Sequence, residues 1–379
     1  MFRRIHNKMK RNDEEGKIPM PEIPVSRGMI GKKLDKDILS PFGGLLYQKG
    51  HPLREKDVEF LLAFKIQTIS VEEESREGEG KHGTKKDHSS PSPKGEQESS
   101  FIKDFRHAVK EMEKIFIRLM AGGSLSVAEI RQWLKPLVEK TEGSTGWLYS
   151  FQENSPKNYQ AYHAVGTALL SVGIARSAKL PKNEWMQIGL AGLLSDLGKV
   201  KIPSSILQKK GPLTKEEWEE VRRHPVYGFE LLKNVKGITE GVILSSLQHH
   251  ERLDGSGYPL NLTREKIHPY AKIVAIADVI HAASSTKPYR TACSPFQVME
   301  QMRVEMTNQF DTGYLHTLIQ SLLQLPLGTP VLLSDGRVGK ILYFMPTSPL
   351  RPILDVDGDP ISLMDRKELH LEKILIEYQ

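Results

Sequence analysis

The chain has 379 residues, a formal net charge of +6 and an apolar fraction of 39%. That length suits two or three units, and the low apolar fraction implies that part of it stays unstructured. A single cysteine, Cys293, excludes an internal disulfide, and the basic start is followed by no apolar segment, so neither a disulfide scaffold nor a signal peptide is expected.

Residues 1–20 are polar, rich in Arg and Lys and without periodicity, and read as a basic disordered tail. Residues 21–73 read as a small α/β domain, with strands at Leu45–Tyr47 and Thr68–Val71 and a helix at Glu55–Phe64 between them. Residues 74–100, in which glycine, serine, lysine and glutamate surround Pro91 and Pro93, read as a linker.

From Phe101 to residue 325 the pattern is helical. Helices are expected over Ile102–Met120 and over Ser126–Lys140, with Ser126 as the N-cap. The next begins near Lys157 and sets Val165, Ala168, Leu169 and Val172 on one buried face, with His163 near its start. Its most apolar part, Ala164–Ala175, is too short to cross a bilayer, and a cytoplasmic protein without a transmembrane segment is expected. Another helix from Asn183 leads to Ser195-Asp196, with Gly198 as its C-terminal stop.

Thr214 and Glu217 form a capping-box signature for a helix that runs from Lys215 to about Arg223 and delivers His224 at its end. Ile238–His250 is the following helix, and Ile273–His281 is an apolar helix interrupted by Asp278. From residue 326 the period changes. Asp335-Gly336 between Val331–Leu333 and Val338–Phe344 is a hairpin signal, and Pro352–Val356 is a further strand before Asp357-Gly358. The expected fold is therefore mainly α, a helical bundle with a small N-terminal α/β domain and a barrel-like C-terminal β appendage over residues 326–379.

Between these helices lies His249-His250-Glu251 running into Gly255-Ser256-Gly257-Tyr258-Pro259. With it, His163, Asp196, His224 and Asp278 stand at helix ends or on apolar faces, where a lone carboxylate is costly and a divalent cation offsets that cost. Imidazole and carboxylate together suit iron, manganese or zinc rather than calcium.

The order and content of these stretches resemble an HD-GYP domain, the bacterial branch of the HD phosphohydrolase superfamily that linearises cyclic di-GMP. The resemblance covers residues of about 155 to 325. It rests on Tyr162-His163, Leu194-Ser195-Asp196-Leu197-Gly198-Lys199, His224-Pro225 with Gly228, His249-His250-Glu251, Gly257-Tyr258-Pro259, and Asp278 with Lys287-Pro288-Tyr289-Arg290. It implies one or two divalent transition-metal ions, iron or manganese. Asp196 would bridge them, His224, His249 and His250 would complete one site, and His163 and Asp278 would hold the other. It further implies that Lys199, with Asp196, serves catalysis, and that Lys199, Lys287 and Arg290 meet the substrate phosphates, whose charge must be neutralised in the transition state. Tyr258 is a candidate contact to the ligand, although packing of the glycine turn is the plainer reading.

Two positions depart from the family pattern. Serine stands at 195, where the family has the histidine of its name, so the second metal loses a ligand. His281 stands where the family has an acidic residue, three positions after Asp278 on nearly the same helix face, and is a candidate substitute ligand. Two functions follow as expectations: a cytoplasmic phosphodiesterase acting on cyclic di-GMP or a related cyclic dinucleotide, impaired at Ser195, or a catalytically silent sensor that binds the nucleotide or a signalling protein partner in the same cleft. The basic residues show no aromatic interleaving, so a nucleic-acid polymer is not expected as partner.

Overall fold

The computed structural model describes residues 23–39, 45–54, 57–58, 61, 68–71, 100–142, 158–209, 211–285 and 293–375. The expected tail and linker, and most of the expected helix at Glu55–Phe64, lie outside the described residues. The chain divides into two units, residues 1–89 and 90–379.

In the first unit, β1 (Ile23–Pro24) pairs antiparallel with β4 (Thr68–Ile69), and β2 (Ile38–Leu39) with β3 (Leu45–Tyr47). Leu34, Leu53, Val58, Leu61 and Ile69 form its core. Asp57 is buried there and accepts hydrogen bonds from the Tyr47 hydroxyl at 3.2 Å and the Arg54 backbone N–H at 2.9 Å, which satisfy its carboxylate.

The second unit is mainly α. Its first helices are α1 (Ser100–Met120) and α2 (Val127–Lys140), the latter capped as expected by Ser126, whose hydroxyl accepts from the Glu129 N–H. Helix α3 (Tyr159–Ser177) is buried on all sides from Ala161 to Ala175, as a helix without a polar face must be. It packs against α4 (Lys182–Leu194) at close range: a Cβ on Gly192 would fall 2.8 Å from the Thr167 carbonyl oxygen.

A 3-10 turn at Leu197–Lys201 and the short α5 (Ser204–Leu207) follow. In α6 (Lys215–Val221) both halves of the capping box are made: Thr214 Oγ1 accepts from the Glu217 N–H at 3.2 Å, and Glu217 Oε2 from the Thr214 N–H at 2.7 Å. Helix α7 (His224–Leu232) begins at His224, with Pro225 in its first turn, so that histidine opens a helix rather than closing one. Helix α8 (Glu240–Gln248) ends just before His249-His250, α9 (Pro269–Ser284) carries Asp278 and His281, and α10 (Pro295–Glu305) and α11 (Thr312–Gln320) complete the bundle.

The C-terminal region is an antiparallel sheet ordered β8-β7-β6-β5-β9. Its strands are β5 (Pro330–Leu333), β6 (Val338–Tyr343), β7 (Ile353–Val356), β8 (Asp359–Ser362) and β9 (Leu371–Ile374). Strands β8 and β9 are the two ends of that order, so the sheet is open rather than barrel-like. Asp357 and Gly358 both have positive φ (56° and 82°) in the two-residue turn that pairs Val356 with Asp359, which is why Asp-Gly stands there. Val331, Leu333, Ile341, Leu354 and Leu371 join the same hydrophobic core as the helices. Arg351 clamps the sheet to α10 through paired bonds to Glu300, at 2.9 and 2.7 Å. Among the described residues no helix is long and apolar enough to cross a membrane.

Candidate metal centre

Five segments bring the histidines and carboxylates together. His163 lies in the second turn of α3, Asp196 follows α4, His224 opens α7, His249 and His250 follow α8, and Asp278 sits in α9. Asp196, His224, His249 and His250 form one group and His163, Asp196 and Asp278 another, each with ligand atoms within 4.8 Å of one another. Asp196 is common to both. Its Oδ1 is 3.2 Å from His224 Nε2 and 3.6 Å from His249 Nε2, and its Oδ2 is 3.6 Å from His163 Nε2. Asp278 Oδ1 is 2.9 Å from His163 Nε2, and its Oδ2 is 4.0 Å from His250 Nδ1.

Backbone carbonyls fix the protons of the first group. His224 Nδ1 lies 2.7 Å from the Val221 carbonyl, and His249 Nδ1 lies 3.1 and 3.0 Å from those of Ser245 and Ser246. A carbonyl only accepts, so each Nδ1 carries the proton and each Nε2 presents a lone pair. Those two lone pairs are 3.3 Å apart and both face Asp196 Oδ1, a buried oxygen that receives no hydrogen bond. Three acceptors around one point, with no proton among them, repel one another unless a cation lies between them. Nitrogen and carboxylate donors of this kind fit a divalent transition metal.

The charges agree with that reading. Burial works to raise the Asp196 pKa, but the Lys199 ammonium, with Nζ at 2.5 Å, outweighs it and holds the carboxyl well below its usual range. Asp278 is likewise buried, yet His163 keeps it ionised. Burial lowers His224, and burial with the His249 ring lowers His250 further, so both are neutral near pH 7. Burial shifts His268 and His370 the same way. Below the ordinary imidazole value of 6.5 the unfolded chain therefore binds protons that the folded chain refuses. The metal-free protein is expected to lose stability as pH falls from about 6.5 towards about 5. Urea denaturation across that range checks this; a midpoint that does not move contradicts it.

The glycine-rich turn is held by a residue to which the motif alone assigned no task. Glu251, 2% exposed, accepts from the backbone N–H groups of Leu260 at 2.6 Å and Leu262 at 2.9 Å. A Cβ at Gly257 would fall 2.3 Å from the Arg252 nitrogen, so only glycine fits where the turn folds back on its own start. Glu251→Ala leaves two amides without their charged acceptor, and a loss of about 2–4 kcal/mol in chemical denaturation is expected.

Tyr258 stacks on His250 with ring centroids 4.7 Å apart and planes at 25°, and the exposed Arg222 guanidinium lies 4.5 Å from the Tyr258 ring centroid. Burial and the two aspartates raise the Tyr258 pKa, so its phenol keeps its proton. Arg222 went unnoticed in the sequence because nothing there shows that the turn after α6 meets the turn after α8.

Ser195 takes no part in either group: its hydroxyl donates to the Gly192 carbonyl at 2.9 Å. Lys287 and Arg290 lie outside the described residues. His281 stands behind His163 rather than among the ligand groups, its Nδ1 3.0 Å from His163 Nδ1, on the opposite side of that ring from the carboxylates.

Residues 151–313 match a family model described as an HD domain. The cyclic di-GMP phosphodiesterase PA4108 of Pseudomonas aeruginosa is 35% identical over 198 residues, 52% of this chain and 48% of that protein. The cyclic di-GMP phosphodiesterase response regulator RpfG of Xanthomonas campestris is 38% identical over 210 residues, 55% and 52%. The 3'3'-cGAMP-specific phosphodiesterase 2 of Vibrio cholerae is 33% identical over 159 residues, 42% and 30%. The chain thus spans about half the length, or less, of these relatives.

Proposed function

We propose that this chain, a protein of the HD superfamily with the HD-GYP signature, is a divalent-metal-dependent phosphodiesterase that hydrolyses cyclic dinucleotides, with cyclic di-GMP as substrate. The observation that carries the reading is the meeting of His224 Nε2, His249 Nε2 and the unsatisfied Asp196 Oδ1 in one buried place. His224, His249, His250 and Asp196 would hold one ion, and His163, Asp196 and Asp278 a second. Iron and manganese suit these donors. Such an ion, when bound, supplies Lewis-acid polarisation of the phosphate and acidifies water to near neutral pH.

The chain's own residues supply the rest. Asp196 and Asp278 enter as carboxylates, and His224 and His250 as neutral imidazoles. Lys199, beside Asp196, and Arg222, held over Tyr258, offer positive charge to a phosphodiester at the cleft. Tyr258 packs against His250 and keeps the glycine turn against the site.

A second reading, a silent sensor binding a cyclic dinucleotide or a signalling partner in this cleft, is favoured by Ser195, whose hydroxyl is committed to Gly192 and leaves the second group three protein ligands. Metal content and linearisation of cyclic di-GMP, measured on the native protein and on Ser195→His, separate the two. Turnover by the native protein excludes the silent sensor, and absence of turnover at full metal loading excludes the enzyme. Ser195→His is expected to tighten the second ion by about 10- to 100-fold or more, since losing even an outer partner of a ligand costs that much.

A further inference from the structure

We propose that His281 is a positioning residue for His163: when an ion is bound, its Nδ1 accepts the Nδ1 proton of His163 and so leaves the His163 Nε2 lone pair to the ion beside Asp196 and Asp278. The inference rests on the metal-centre reading above and assigns His281 a task other than ligation. An imidazole ligates through Nε2 only when its proton is on Nδ1, and that proton needs an acceptor once the ring is buried. His163 is 4% exposed and His281 2%, and the two Nδ1 atoms face each other at 3.0 Å. One shared proton lies between them. On the far side of the ring, His163 Nε2 meets Asp278 Oδ1 at 2.9 Å and Asp196 Oδ2 at 3.6 Å.

The His281 ring is itself held in place. Ser285 Oγ lies 3.4 Å from the same nitrogen, but its proton goes to the His281 carbonyl at 2.7 Å. On the Nε2 side the ring fills the room left by Gly166 in α3, where a Cβ would fall 1.9 Å from that nitrogen. The glycine and the histidine are matched in size, and the ring cannot swing round to reach the carboxylates without leaving this slot. A metal-ligating histidine more often gives its second proton to a carboxylate or a carbonyl. Here a second imidazole takes it.

The test uses the full chain with His281→Asn and His281→Phe. Asparagine puts an accepting oxygen where His281 Nδ1 now stands; phenylalanine fills the slot and accepts nothing. In the metal-free protein labelled with 15N-histidine, an imidazole N–H proton correlated with both Nδ1 atoms is expected in the native chain and absent in His281→Phe. This readout needs no metal, so it fails or succeeds apart from the metal-centre reading. Manganese titration of the same proteins and of their Ser195→His versions is expected to show the ion of the His163 group weakened about 10- to 100-fold in His281→Phe and within a few-fold of native in His281→Asn. The ion of the His224 group should be unchanged. No shared proton, equal affinities in all three proteins, or an asparagine variant as weak as the phenylalanine one would overturn the proposal.

Discussion

Asp196→Asn is expected to empty both ion-binding groups at once. Asp196 is the member they share, and the amide that replaces it offers one weak oxygen ligand and no charge. Loss of an outer partner of a ligand costs about 10- to 100-fold in metal affinity, and loss of a shared anionic ligand should exceed the upper figure. Cyclic dinucleotide hydrolysis should fall below detection with it. The fold should survive, because an amide can donate to the His224 and His249 lone pairs, which are 3.2 and 3.6 Å from Asp196 Oδ1 and in the metal-free native protein face only an acceptor. The metal-free variant should therefore melt no lower than the metal-free native chain, while the rise in Tm on adding manganese, which binding to the folded state alone produces, should vanish. A variant that retains even one tightly bound ion would contradict the shared role of Asp196.

Gly198→Ala should be the most damaging small substitution in the site. Its Cβ would fall 2.0 Å from the His224 carbonyl oxygen and 2.4 Å from the Gly228 nitrogen. Both are backbone atoms, which no side-chain rotation can move. The 3-10 turn that carries Lys199 and follows Asp196 would be pushed off α7, which begins with His224. A loss of about 3 kcal/mol in chemical denaturation is expected, together with weaker metal binding. Gly211→Ala is the control, since nothing lies within 4 Å of a Cβ there. A change below about 0.5 kcal/mol at Gly198 would show that the contact is not what holds these elements.

Gly198 also shows where reading the sequence stops. As a helix stop it would need a left-handed backbone, but it is not among the glycines of positive φ; it is there because two backbones touch. Close approach between segments distant in sequence leaves no periodicity to read. Local signals were legible: Thr214 with Glu217, Ser126, and Asp335-Gly336, where Gly336 has φ of 86°, each act within a few residues. Strand β9 was not, because Leu371 and Ile374 are its buried residues and their spacing of three does not alternate as a half-buried strand should. At the site, residue types and order brought His163, Asp196, His224, His249, His250 and Asp278 into view. Which way a ring faces was invisible. His281 shares a helix face with Asp278 yet lies behind His163, and Glu251, beside two histidines, bonds loop amides instead of joining a group.

The most direct test is the conversion of cyclic di-GMP to linear product by the native chain loaded with manganese or iron, followed chromatographically beside Asp196→Asn under the same loading. Linear product from the native protein and none from the variant is the predicted result. Intact nucleotide from a native protein carrying its full complement of metal would contradict the assignment of this site as a phosphodiesterase.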